Sequence, residues 1–176
     1  MNINELLRQN YFQLFGLEQS FDIDLVLLKN NMQDMQKQYH PDKFAGANVE
    51  DINHALILSS HINHAYDTLL NPLRRVLYLL QLRDIKVDLV HETKFSHEFL
   101  IEQIELREDI ADAESSGDID ALEEMGKKLE DRESILLKQI SVLFDKLEFT
   151  QIIELAKQLS FYLKLQQVVN NSIAQL

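Results

Sequence analysis

The sequence predicts an all-α protein, and three features carry that prediction. Helix breakers are scarce, with 4 Gly and 2 Pro in 176 residues, while helix formers such as Leu, Glu, Gln and Lys abound. Two apolar stripes recur at helical spacing in the first half of the chain. From Phe95 onward a helix-compatible pattern is broken in only two places. Apolar residues make up 45% of the chain, enough to bury a core and too many for a disordered polymer.

Taken in order, "YFQLFGL" (11–17) reads as a compact turn or short helix that Gly16 ends. The next segment, "FDIDLVLLKNNMQDMQKQYH", places Leu25, Leu28, Met32, Met35 and Tyr39 at steps of 3, 4, 3 and 4. That is one helical stripe, with Asp22 or Asp24 as N-cap. His40 precedes Pro41, and a pre-proline residue is pushed out of the α region, so the helix stops there. "PDKFAGANVED" (41–51) is expected to be a loop. A second stripe, Ala55, Leu58, Ile62, Ala65 and Leu69, marks a helix over 48–70. Two matched helices joined by a loop form an antiparallel αα-hairpin.

Asn71-Pro72 ends that helix, and Pro72 begins a short one through Leu82. "RDIKVDLVHETK" (83–94) has no sustained period and reads as a boundary segment. The remainder breaks at "SSGD" (115–118), with Asp118 as an N-cap, and near "KLEFT" (146–150). Three helices joined by short loops make an antiparallel bundle. The expected division is therefore 1–82, a linker over 83–94, and a three-helix bundle over 95–176.

Charge and composition narrow the function. Lys and Arg total 17 against 29 Asp and Glu, a formal charge of −12 with no basic cluster. Phosphate neutralisation dominates nucleic-acid affinity, so no nucleic-acid partner is expected and a basic protein surface suits the chain better. Without cysteine the chain cannot form disulfides, thiolate zinc sites or cysteine-ligated clusters. "MNINELLRQN" carries an acidic residue and no apolar run, and no uncharged stretch approaches a membrane span. No membrane partner is expected. His54, His61 and His64 share part of one helix face, but no compact ligand motif accompanies them, so no metal is expected. No Gly-rich phosphate loop or Ser/His/Asp arrangement stands out. Neither an enzyme nor a resident cofactor is expected.

Within the bundle, Phe99, Gln103, Leu106, Ile110 and Ala113 form the inward stripe of the first helix. Leu100, Ile101 and Ile104 fall off it, and Glu105, Glu108 and Asp112 continue the same outer surface. On the last helix Ile152, Leu155, Ala156, Leu159 and Leu163 face inward, while Phe161 points away with Leu165 and Val168 near it. Periodicity leaves two uses open for the off-stripe residues: a partner site or packing on the rest of the chain.

The tripeptide His40-Pro41-Asp42 reads by itself as helix punctuation. Its setting differs: it occupies the loop of the hairpin, with Tyr39 before it, "KF" after it and "YFQLFGL" upstream. That arrangement resembles the J domain, the module with which DnaJ-like co-chaperones stimulate a DnaK-type ATPase. "YHPDKF", "LNPLRRVLYLL" and "FLIEQIELRED" narrow the likeness to the HscB family of iron–sulfur co-chaperones, over nearly the whole chain. The resemblance implies a J domain over 1–82 and two partners. One is a dedicated DnaK-type (HscA-like) chaperone, met by His40, Pro41 and Asp42 with Lys37 and Lys43 beside them. The other is an iron–sulfur scaffold protein (IscU-like), met by Leu100, Ile101, Ile104, Glu105, Glu108, Asp112 and Phe161.

Ordinary J domains carry a basic run on the helix before the motif. Here that helix offers only Lys29 and Lys37, so a promiscuous role is not implied. The cysteine-bearing N-terminal extension of eukaryotic relatives is missing, which implies a bacterial, cytoplasmic type. The alternative reading is an acidic helical adaptor in which the tripeptide only stops a helix.

Overall fold

A computed structural model describes residues 3–44, 46, 48–89 and 95–176. The elements are α1 (Ile3–Leu6), α2 (Tyr11–Leu14), α3 (Leu25–Tyr39), a one-turn 3-10 helix (Pro41–Phe44), α4 (Val49–Leu70), α5 (Pro72–Gln81), α6 (His97–Ser116), α7 (Ile119–Asp145) and α8 (Phe149–Gln175). No strand occurs among the described residues, and the protein is all-α. It divides into two units, Met1–Ile85 and Lys86–Leu176. The expected linker over 83–94 straddles that division, and its residues 90–94 lie outside the described residues.

The helix ends follow two rules written in the sequence. Prolines stop α3 and α4: His40 (φ −60°, ψ 132°) and Asn71 (φ −80°, ψ 119°) are both extended, as pre-proline residues must be. Asn71 then caps α5, its side chain accepting from the Arg74 N–H at 2.9 Å. A left-handed residue ends α2, α5, α6 and α7, at Gly16, Asp84, Gly117 and Leu147 respectively. At α6 the Gly117 N–H donates to the Glu114 carbonyl (3.2 Å) and the Asp118 N–H to that of Ala113 (3.0 Å), satisfying two orphan carbonyls. Asp118 goes on to cap α7, accepting from the Ala121 N–H at 3.0 Å. Asp24 takes the same role for α3, bonding the Val26 and Leu27 N–H groups.

In the first unit α4 is the central element, touching α1, α2, α3 and α5. Its stripe of Ala55, Leu58, Ile62, Ala65 and Leu69 is fully buried, together with Leu28, Phe12, Phe15, Val76 and Leu79. Burying each large member contributes about 2 kcal/mol. The α3 stripe holds less well. Leu28 is enclosed and Met32, Met35 and Tyr39 are half-buried, but Leu25, in the first turn, is 45% exposed. The helix begins before its inner face meets a neighbour. The expected loop over 41–51 also begins as a turn of 3-10 helix, because the fixed φ of Pro41 suits a helical start. Residues 45 and 47 lie outside the described residues.

Polar groups tie the unit together at a few points. Asn31 donates to the Phe15 carbonyl (2.8 Å) and Gln36 to Asn63 across the hairpin (3.0 Å). The Arg75 guanidinium, itself buried, donates to the Leu69 carbonyl near the end of α4 and lies over the Phe21 ring. Tyr11 stacks on Tyr78 at 4.2 Å and meets His61 and His64 edge-on.

His61 sets a pH dependence. Burial, and then repulsion from His64, push its pKa below the usual 6.5, and its buried Nε2 has no hydrogen-bond partner among the described residues. A base whose folded pKa is lowered binds its proton more readily unfolded, so stability is full above about 6.5 and falls as pH drops toward the folded pKa. The melting temperature should therefore drop from pH 7.5 to pH 5.5 by more in the wild type than in His61→Gln. Equal drops would show that His61 contributes nothing to acid sensitivity.

Candidate functional site

Pro41 shapes the first surface. It forces His40 out of the helix, and the backbone turns at once into the 3-10 helix, with the Lys43 N–H donating to the His40 carbonyl at 3.0 Å. The Asp42 N–H donates to His40 Nδ1 at 3.3 Å. In the neutral ring that bond leaves the proton on Nε2, which is free to donate outward. The Asp42 carboxylate stands 3.4 Å from the same Nδ1, with the two side chains 55% and 89% exposed. A donor and an anionic acceptor are thus offered side by side at the hairpin tip, held by backbone geometry.

The flanking lysines lie where the sequence placed them. Lys37, His40 and Lys43 line a shallow groove with Gln33 and Gln36. Lys37 pairs with Asp34 at 3.3 Å, an exposed contact worth little. The groove's charged groups therefore remain available to a partner.

The second surface lies on α6. Ser96 caps the helix, accepting from the Phe99 N–H at 3.2 Å. Phe99, Ile110 and Ala113 are buried, and Gln103 and Leu106 half-buried, as the inward stripe required. Leu100, Ile101 and Ile104 are exposed, at 42%, 43% and 57%, and Glu105, Glu108 and Asp112 continue that surface into solvent. Ties to both other helices fix the rotation of α6. Arg132 of α7 meets the Glu102 carboxylate at 2.9 Å. The buried Tyr162 phenol of α8 hydrogen-bonds the same carboxylate, and burial together with that negative charge pushes its pKa well above the ordinary value. Near the other end of α6 the Ser172 hydroxyl donates to Glu114 at 3.1 Å.

Phe161 corrects the sequence reading. It does not point away from the bundle but is buried, 8% exposed, edge-on to Phe99 at 5.5 Å and with the Arg107 guanidinium over its ring at 5.3 Å. Leu165 is buried too, while Val168 stays 44% exposed. The helix α8 packs against both α6 and α7, so it buries a wider arc than one stripe. Sequence reasoning also passed over Glu102 and Arg107. Arg107 had a visible signal, being the single Lys or Arg between His97 and Ser116.

A family model described as the HSCB C-terminal oligomerisation domain matches residues 95–170, spanning α6, α7 and most of α8. The co-chaperone protein HscB homolog of Neisseria meningitidis is 32% identical over 163 residues, covering 93% of this chain and 98% of that protein. The chain belongs to the HscB family. Among solved structures it is similar to chaperone HscB from Vibrio cholerae, at 34% identity and a TM-score of 0.85, covering 96% of this chain and 99% of that one. It also resembles human co-chaperone protein HscB, at 27% identity and a TM-score of 0.90, over 96% of this chain and 84% of that one. As an HscB-family member it is a J-type co-chaperone in iron–sulfur cluster assembly. Among the described residues no helix is long and apolar enough to cross a membrane.

Proposed function

We propose that this chain delivers an iron–sulfur scaffold protein (IscU-like) to a dedicated DnaK-type (HscA-like) chaperone and stimulates ATP hydrolysis by that chaperone. In this reading the α6 surface holds the client. Leu100, Ile101 and Ile104 supply the apolar centre, and Glu105, Glu108 and Asp112 the acidic rim that meets basic groups. Phe161 acts from beneath, supporting Phe99 and Arg107, not as an exposed contact. The hairpin tip addresses the chaperone: His40 donates through Nε2, Asp42 accepts, and Lys37 and Lys43 flank them, while Pro41 fixes the angle of presentation. The chemistry belongs to the chaperone, and this chain contributes contacts.

The observation that carries the reading is the exposed apolar row on α6 beside an acidic row, on a helix otherwise pinned to its bundle. Reversing Glu105 and Glu108 to Lys tests it. Affinity for the scaffold should fall about tenfold or more, since two favourable charge contacts become repulsive. Stimulation of the chaperone measured without scaffold should be unchanged. Unaltered scaffold affinity would refute the assignment of this face.

A further inference from the structure

The exposed face of α6 carries two parallel rows. Leu100, Ile104, Arg107 and Ala111 form one, and Ile101, Glu105, Glu108 and Asp112 the other, each at steps of 4, 3 and 4. Arg107 is thus a cation set in the apolar row, and its position is built. Its neighbours three and four residues away are Gln103, Ile104, Ile110 and Ala111, so no carboxylate lies where an intrahelical pair would form. Its guanidinium rests over Phe161 and makes no ion pair or hydrogen bond to another described residue. The exposed Lys164, one turn on from Phe161 along α8, is a further cation on that helix.

We propose that Arg107 is a specificity-determining residue of the docking face, presenting its guanidinium to a carboxylate of the scaffold protein on the α8 side of the patch. Glu105, Glu108 and Asp112 take basic groups of the scaffold on the opposite side. The inference rests on the docking role assigned to α6. Stacking on Phe161 fixes the side chain in advance, so little freedom is lost when the planar fork engages a carboxylate. Leu100 and Ile104 exclude water around the pair once the partner lands, which strengthens it. A uniformly basic partner would leave Arg107 facing like charge, so the arrangement selects for a surface of mixed sign.

The test measures binding of the purified iron–sulfur scaffold protein from the same organism to R107M, R107K and the triple variant L100A/I101A/I104A. Met keeps an apolar stem over Phe161 and removes the charge, so R107M should melt like the wild type yet bind about tenfold more weakly. R107K should recover part of the loss. Scaffold Asp and Glu residues are then replaced singly, and the loss of one should weaken binding to the wild type but not to R107M. Wild-type affinity in R107M, with the triple variant impaired, would overturn the role of Arg107 alone. Weak binding by R107M with no coupled scaffold carboxylate would overturn it too, leaving Arg107 as a cover for Phe161. Unchanged binding in both variants would remove the α6 docking reading and this inference with it.

Discussion

His40→Gln will reduce stimulation of the DnaK-type ATPase to near the chaperone's basal rate, while the protein keeps its melting temperature and its scaffold affinity. The imidazole has two directed roles on one rigid ring. Nδ1 accepts from the Asp42 N–H at 3.3 Å, which orients the ring and, in its neutral form, leaves the proton on Nε2. A glutamine can imitate either atom, but its flexible amide cannot hold both in that relation. Losing one oriented, charge-assisted contact at the centre of an interface costs about 2–3 kcal/mol, roughly 30- to 150-fold. The side chain is 55% exposed, so little packing goes with it. A single-turnover ATPase measurement with the chaperone of the same organism reads the effect. Retained stimulation would reduce the tripeptide to helix punctuation. Simultaneous loss of scaffold binding would show that the two surfaces do not act separately.

The triple variant L100A/I101A/I104A should lose scaffold affinity by about 100-fold. Each side chain is roughly half exposed in the free protein, at 42%, 43% and 57%, so docking has that much apolar surface left to cover. Truncation to Ala removes most of it, about 1 kcal/mol per residue, and about 3 kcal/mol together is a factor of about 100. Because these residues lie outside the core stripe, the fold should tolerate the change. Ala also favours helix. Titration calorimetry with the scaffold measures the loss, and a Kd within threefold of the wild type would place the docking face elsewhere.

The parts of this fold legible in the sequence were those with a local cause. Pro41 and Pro72 dictate where two helices stop, Asp118 caps where it was expected, and of the two candidates Asp22 and Asp24 it is Asp24 that caps α3. The fully buried stripe of α4 could be read because one helix meets neighbours along one side for its whole length. Four-residue α1 has no room to display a period, and so left no signal. Leu25 and Phe161 failed in opposite directions. Spacing records which residues are apolar but not how many neighbours a helix has: α3 outruns its packing at Leu25, while α8 is enclosed around Phe161. The off-stripe reading of Leu100, Ile101 and Ile104 succeeded because α6 presents one full side to solvent. Arg107 and Glu102 make their contacts with residues of α7 and α8, more than twenty positions away in sequence, where no periodicity argument reaches.

The bond from Arg132 to Glu102 and the Tyr162 hydroxyl on the same carboxylate give α6 a keyed seat, as a notch locks a dial to its shaft. A helix free to roll by one residue, about 100°, would carry Ile101 to a new bearing and turn Glu105 or Glu108 toward the core. With the seat locked, the outer rows need take no part in holding the bundle together. On the docking role proposed for α6, client choice could then be rewritten at Leu100, Ile101, Ile104, Glu105 and Glu108 without renegotiating the fold. In such a protein the address label can drift with its partner while the frame that displays it stays still.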